Sequence, residues 1–174
     1  MSTLEARLKS VIRDVPDFPK EGIVFKDITP VLARPDLLQE ITDHYAARYA
    51  GKVDAVVGME SRGFIFGAPI ALKLGAAFVP ARKPGKLPYE RISEEYALEY
   101  GTARLDMHID AILPGQRVLI VDDLIATGGT AVATAKLVER LGGNVVAMAF
   151  VIELGFLPGR DAVAPHAVDS IVLY

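Results

Sequence analysis

The stretch "VLIVDDLIATGGTAVATAKLVERLGG", residues 118–143, decides the fold. Four apolar residues run into Asp122 and Asp123. A small, glycine-bearing turn follows, and then a helical pattern. Ala131, Ala135 and Val138 fall on one face of that helix, and Lys136, Glu139 and Arg140 point away. Gly142 and Gly143 stop it. This reads as a strand over 117–121 and a helix over 129–141, followed by a strand over 145–152.

A second unit of the same kind lies upstream. "VDAVVGM" (53–59) is a short apolar strand, "GFIFGAPIALKLG" (63–75) is mostly helical, and "AAFVP" (76–80) is another strand. Pro69 argues for a kink or a late start in that helix. Strands alternating with helices imply an α/β fold with an open, mainly parallel twisted sheet and helices on both faces. Residues 171–174, "IVLY", fit a final edge strand. Residues 3–13 have a helical pattern, and 36–49 form an amphipathic helix capped by Asp36, with Leu38, Ile41 and Tyr45 on one face. "PDFPKEGIVFKDITPVL" reads as extended and irregular.

With 174 residues and 51% hydrophobic content the chain fits one domain, 1–174, with a real core. No apolar run reaches the ~18 residues of a membrane helix. Glu5, Arg7 and Lys9 interrupt the N-terminal stretch, so it is not a signal peptide. Cysteine is absent, which suits the cytoplasm and excludes disulfides and thiolate metal sites. Nineteen basic against 22 acidic residues give a net charge of −3, so nucleic acid is not the expected partner. Residues 81–93, "ARKPGKLPYERIS", carry four basic residues and one acid in a loop long enough to be functional or disordered.

Ligands of an open parallel sheet sit at the carboxyl ends of its strands, where Asp122 and Asp123 lie. The turn from Ala126 through Thr127, Gly128 and Gly129 to Thr130 opens a helix. Free N–H groups and the helix dipole there favour a phosphate. Taken alone, the stretch also admits a plainer reading: Thr130 as a helix cap and two solvated aspartates. Walker A and dinucleotide-binding glycine spacings are absent, as is a nucleophile elbow with its partners. His44, His108 and His166 have no zinc-ligand spacing. What remains is an acidic pair, able to accept from two neighbouring hydroxyls, beside an anion cradle. That describes a site for ribose 5-phosphate.

"VLIVDDLIATGGT" resembles the phosphoribosyl-pyrophosphate motif of the type I phosphoribosyltransferases. The resemblance extends through "DFPKEGIVFKDITPVL" (17–32), "VVGMESRGFIFGAPIA" (56–71), "FVPARKPGKLPYE" (78–90), "YALEYG" (96–101) and "IELGFLPGR" (152–160). It is nearest to the adenine-specific branch of that family. The family's E-L-x-x-L-x-G-R pattern falls on Glu153, Leu154, Leu157, Gly159 and Arg160.

The resemblance implies a purine-salvage enzyme that forms AMP from adenine and phosphoribosyl pyrophosphate with Mg²⁺. A small hood and a flexible loop at about 81–93 would complete its fold. It implies Asp122 and Asp123 on the ribose hydroxyls and Ala126, Thr127, Gly128, Gly129 and Thr130 on the 5′-phosphate. Glu60, Ser61, Arg62, Arg82, Lys83 and Lys86 would serve the pyrophosphate, with a cis peptide between Glu60 and Ser61. Arg62 and Glu99 carry the catalytic roles, Glu99 moving a proton on the base with Tyr100 beside it. Val24 and Lys26 select the base by main-chain groups, and Phe25 and Leu154 cover its faces. No residue set dedicated to the metal is implied: Mg²⁺ travels mainly with the substrate, near Asp122 and Asp123. A homodimer is also implied, with Arg82 reaching the partner's site. Two rivals are a transferase for xanthine, hypoxanthine, guanine or a pyrimidine, and a non-catalytic purine sensor. "FKDITP" and the E-L-x-x-L-x-G-R segment argue against the first. The acidic charge, and the absence of a nucleic-acid-binding module, argue against the second.

Overall fold

The computed structural model describes residues 3–97 and 101–174. The chain begins with α1 (Leu4–Lys9), then a ribbon of β1 (Arg13–Pro16) and β2 (Val24–Asp27). Next come α2 (Thr29–Leu32) and α3 (Pro35–Tyr49), then β3 (Ala55–Met59), α4 (Arg62–Leu74) and β4 (Ala77–Ala81). A hairpin of β5 (Arg91–Ala97) and β6 (Thr102–His108) precedes β7 (Arg117–Ile125), α5 (Gly129–Arg140) and β8 (Asn144–Glu153). The last elements are α6 (Gly159–Ala162) and β9 (Val168–Leu173).

Five strands form one sheet in the order β4-β3-β7-β8-β9, and every pairing in it is parallel. From β3 the first β-α-β unit winds outward to β4. From β7 the second winds the other way, to β8. The winding reverses between β3 and β7, and such a reversal opens a crevice at the carboxyl ends of the strands. β9 is the edge strand expected near 171–174.

Period-two alternation divides the sheet's residues between two cores. Val56, Leu119, Val121, Ala149 and Val151 pack on one side, with α3 and α4 supplying Ile41, Tyr45, Phe66 and Ile70. Val57, Val118, Ile120, Met148 and Phe150 pack on the other, under α5 and the β5–β6 hairpin with Leu105 and Met107. β3 and residues 118–121 of β7 are thus covered on both faces, which is why they read as unbroken apolar runs. Tyr45 is fully buried and its hydroxyl donates to the carbonyl of Phe150. Burial pushes that phenol well above its ordinary pKa, so it stays a neutral donor.

Several local expectations are corrected. The first helix ends at Lys9, because Ser10 caps it and the chain must turn into β1. Asp36 does not cap α3: Pro35 takes the first helical position, and Asp36 pairs with Arg34 and Arg7 instead. α4 does not start late. It runs from Arg62 with Pro69 inside it and ends on left-handed Gly75. Pro69 removes the bond to the carbonyl of Ile65, a residue 40% exposed, where water can serve that oxygen. The segment expected to be irregular contains both β2 and α2.

The largest correction concerns β7, which continues through both aspartates to Ile125. On one side β3 pairs with it only as far as Gly58↔Val121. On the other side β8 pairs on through Asp122↔Phe150 and Ile125↔Glu153. The carboxylates stand at a step in the sheet, where one neighbour has stopped and the other has not.

Candidate active site

Asp122 lines a cleft of about 120 Å³ with Ala126, Thr127, Gly128, Gly129 and Thr130. Met59, Leu124, Ile125, Ala131 and Phe150 complete its wall. α5 begins at Gly129, with Gly128 as its N-cap in the left-handed region (φ 84°) and no side chain capping it. A side chain at residue 128 would also meet the Gly159 carbonyl at 2.9 Å, so glycine is required twice over. The first-turn N–H groups therefore face the cleft without a side-chain partner. The plainer reading of Thr130 as the cap is thereby corrected: its carbonyl serves the Thr134 hydroxyl at 2.8 Å, and Gly128 holds the cap position.

Asp123 is 4% exposed and pairs with Nε of Arg62, the first residue of α4. Asp122 Oδ1 accepts from the backbone N–H of Asp123 at 2.8 Å. Gly63 brings α4 onto this end of β7, since a Cβ there would lie 2.5 Å from the Val121 carbonyl and 3.2 Å from Asp122 Oδ1. Burial raises the Asp122 carboxyl well above the ordinary range, and the charge of Asp123 raises it further. Burial opposes the charge of Arg62, but Asp123, Asp122 and Asp27 more than offset it, and its pKa is raised. The structure brings these carboxylates and this arginine into one electrostatic unit.

A second arginine is held in the same way. Glu60, just past β3, accepts from Arg82 Nε at 2.9 Å and from the Lys83 backbone N–H at 2.8 Å. The Arg82 bond and then the Lys83 N–H lower the Glu60 carboxyl pKa against the opposing effect of burial. Both guanidinium groups are thus gripped at Nε by a carboxylate, which leaves their terminal forks for another anion. The peptide bond between Glu60 and Ser61 is cis, as the resemblance implies.

The basic loop is shorter than the expected 81–93. β4 extends to Ala81 and β5 starts at Arg91. Its root is pinned by a two-bond bridge between the main chains of Arg82 and Asp106, at 2.9 and 2.7 Å. Lys83 and Lys86 are exposed, while Leu87 is buried. Glu99 and Tyr100 lie outside the described residues.

Val24, Phe25 and Lys26 form most of β2, paired to β1 in the register Pro16↔Val24, Val15↔Phe25 and Asp14↔Lys26. Pro16 has no N–H, so the Val24 carbonyl receives none from its register partner. Phe25 meets Phe18 edge-on at 5.2 Å. Leu154 follows β8, and its N–H donates to the Ile125 carbonyl at 3.1 Å.

Two contributors escaped the sequence reading. Asp27 accepts from the N–H and hydroxyl of Thr29 at 2.9 and 2.8 Å, and its charge reaches Arg62. Its signal was the Asp-x-Thr spacing of a turn. Asp106 is fully buried, accepting from Ser93 at 2.7 Å with Arg91 and Arg104 at 3.2 and 3.3 Å. Nothing in the alternating pattern of β6 marks it.

A carboxylate step beside an open helix N-terminus, at the reversal of a parallel sheet, suits a sugar phosphate. The sequence pattern of the phosphoribosyl transferase domain matches residues 30–169, and the chain belongs to that family. Its similar relatives are adenine phosphoribosyltransferases. That of Myxococcus xanthus is 56% identical over 174 residues, 99% of this chain and 95% of the relative. The crystal structure of the Thermoanaerobacter pseudethanolicus adenine phosphoribosyltransferase superposes with a TM-score of 0.94 at 53% identity, covering 99% of this chain and 100% of that one. The Saccharomyces cerevisiae structure, complexed with D-2,5-dideoxy-2,5-imino-altritol 1,6-bisphosphate and adenine, gives 0.93 at 41% identity, covering 98% and 99%.

Proposed function

We infer that the protein transfers the 5-phosphoribosyl group of phosphoribosyl pyrophosphate to N9 of adenine, giving AMP and pyrophosphate, a step of purine salvage. The C1′–oxygen bond to pyrophosphate breaks, the C1′–N9 bond forms and N9 gives up its proton. The observation that carries the reading is the cleft where Asp122 meets Ala126 to Thr130. The choice of adenine rests on relatives more than half identical along the whole chain.

The residue roles are proposed from the resemblance together with the geometry. The first-turn N–H groups of α5 and the hydroxyls of Thr127 and Thr130 hold the 5′-phosphate. Asp122 and Asp123 accept from the ribose hydroxyls. Glu60 and Ser61 shape the turn facing the pyrophosphate. The free forks of Arg62 and Arg82, with Lys83 and Lys86, stabilise the charge that develops there as C1′ becomes cationic. Closure of the loop excludes water, which would otherwise attack C1′. The Val24 carbonyl accepts from the 6-amino group and the Lys26 N–H donates to N1, so a 6-oxo purine presents the wrong pattern. Phe25 and Leu154 cover the ring, and Glu99 carries the proton at the base.

Among the described residues no cluster of three or more His, Cys, Asp or Glu could hold a metal ion. An acidic pair at a substrate-phosphate site suits Mg²⁺, which is commonly bound through one or two carboxylates plus substrate oxygens. Mg²⁺ would supply charge neutralisation at the pyrophosphate, near Asp122 and Asp123. Among the described residues no helix is long and apolar enough to cross a membrane, and a cytoplasmic location is part of the proposal. So is a homodimer, in which the Arg82 fork left free by its own chain's Glu60 is the one that serves the pyrophosphate of the partner's site.

The test is AMP and pyrophosphate formation from phosphoribosyl pyrophosphate, Mg²⁺ and each of adenine, hypoxanthine, guanine and xanthine. Turnover of adenine alone is expected. Turnover of a 6-oxo purine without adenine overturns the assignment.

A further inference from the structure

The two walls assigned to the base, β2 and the segment at Leu154, come from distant parts of the chain. β1 and β2 form a separate two-stranded ribbon, not hydrogen-bonded to the five-stranded sheet. Such a ribbon is marginal alone and takes its position from whatever it docks against. Tyr174 touches both walls. Its N–H donates to the Glu153 carbonyl at 3.0 Å, and its carbonyl accepts from the Gly155 N–H at 2.8 Å, so it brackets Leu154. Gly155 permits that approach: a Cβ there would meet Leu173 Cδ1 at 2.8 Å and the Tyr174 carbonyl at 3.3 Å. The ring of Tyr174 lies 4.0 Å from Nζ of Lys26, which also pairs with Asp14 at 2.7 Å across the ribbon. The Lys26 side chain is only 12% exposed, so the ammonium is held between a carboxylate and an aromatic face. Desolvation of that kind strengthens a cation–π contact.

We propose that Tyr174 is a positioning residue for base recognition. Its backbone fixes Leu154 and its ring fixes Lys26, which sets the spacing between the two walls of the base site. The inference rests on the assignment of Val24 to Lys26 and Leu154 to the base. Among the described residues Tyr174 is not part of the cleft lined by Asp122 and residues 126–130, so its effect is expected on adenine and not on phosphoribosyl pyrophosphate.

The experiment compares Tyr174→Leu, which keeps apolar bulk without a π face, with Tyr174→Phe, which keeps the ring. Tyr174→Leu raises the KM for adenine about three- to tenfold, a part of the roughly 30-fold that one desolvated cation–π contact is worth, because Tyr174 acts on the base through Lys26. The KM for phosphoribosyl pyrophosphate stays within twofold, and Tyr174→Phe restores the adenine KM. Lys26→Met also raises the adenine KM, and adding it to Tyr174→Leu gives less than the product of the two single effects, because the ring contact is shared while the Asp14 pair is lost only with Lys26. Leu154→Ala is the control for the base site itself and raises the adenine KM whatever Tyr174 does. An unchanged adenine KM in Tyr174→Leu, with a raised one in Leu154→Ala, overturns the role of Tyr174 and leaves the base site standing. An equal rise in both substrates' KM values also overturns it, as a general structural effect. No change in either variant overturns the base-site assignment and the inference with it.

Discussion

Replacing Asp123 by Asn changes one charge at the step in the sheet and almost no volume. The Asp123 side chain is 6% exposed and serves Arg62 Nε, and on the proposed reading it also serves a ribose hydroxyl. A hydrogen bond to a charged group is worth about 1–1.5 kcal/mol more than its neutral counterpart. Two such bonds give about 2–3 kcal/mol, or about 30- to 160-fold in kcat/KM for phosphoribosyl pyrophosphate. The fold should tolerate the change. The lost ion pair is offset by relief of repulsion with Asp122, and Arg62, with 48% of its side chain exposed, can rehydrate. A net change within about 1 kcal/mol corresponds to a shift of about 2–4 °C in Tm for a domain of this size. The sign at Asp122 can be followed too. Its folded pKa is raised, so the stability it contributes is present below the unfolded pKa and is lost as pH rises through the folded value. Removing the Asp123 charge lowers that folded value and moves the loss to lower pH. The assays are initial rates of AMP formation against phosphoribosyl pyrophosphate, and thermal melts across pH. A kcat/KM within threefold of the parent, with a normal melt, would refute the ribose assignment; a Tm loss above about 10 °C would make the effect structural.

Glu60→Gln keeps an acceptor for Arg82 but drops the charge, and should raise the KM for phosphoribosyl pyrophosphate about three- to tenfold without altering that for adenine; an unchanged value contradicts Glu60 as the orienting group. Gly159→Ala drives a methyl to within 2.3 Å of the Ala126 carbonyl and 2.8 Å of Ile125 Cγ1, which should cost about 1–3 kcal/mol in stability and weaken phosphate binding. A parent-like denaturant midpoint and KM would contradict that packing. At the opposite end of the sheet, Arg117 holds Asp54 through its backbone N–H at 2.8 Å and its guanidinium at 2.7 and 3.0 Å, and the Asp54 pKa falls to about 2. That stabilisation is present above the unfolded value and is lost as pH falls through about 2. Asp54→Asn should flatten the acid limb of a stability–pH profile below pH ~4 and leave AMP formation at neutral pH unchanged; an unaltered acid limb counts against the pair.

The two β-α-β units were legible because β3 and residues 118–121 of β7 are covered on both faces and apolar throughout, and because left-handed Gly75 and Gly142 follow the two helices. The turn that lines the cleft was legible because its groups are local, five consecutive residues at one helix start. The course of β7 was not. Two adjacent aspartates look like the end of a strand, and only the register with β8 out to Glu153 carries the strand past them. The pairing of Arg62 with Asp123 spans 61 positions, and its geometry depends on Gly63 lying against Val121. The same holds for β1 and β2, whose ladder no local pattern advertises, and for Asp106, which is enclosed by Ser93 and Arg91 across the hairpin and by the bridge to Arg82. Residues whose roles come from distant partners were recognised by resemblance or missed.

A crystal structure of the protein with AMP bound tests the account most directly. It should show the 5′-phosphate on the N–H groups between Ala126 and Thr130, the ribose hydroxyls on Asp122 and Asp123, and adenine between Phe25 and Leu154 with its 6-amino group at the Val24 carbonyl. Phosphate density elsewhere, or a ribose out of hydrogen-bonding reach of both aspartates, would contradict it.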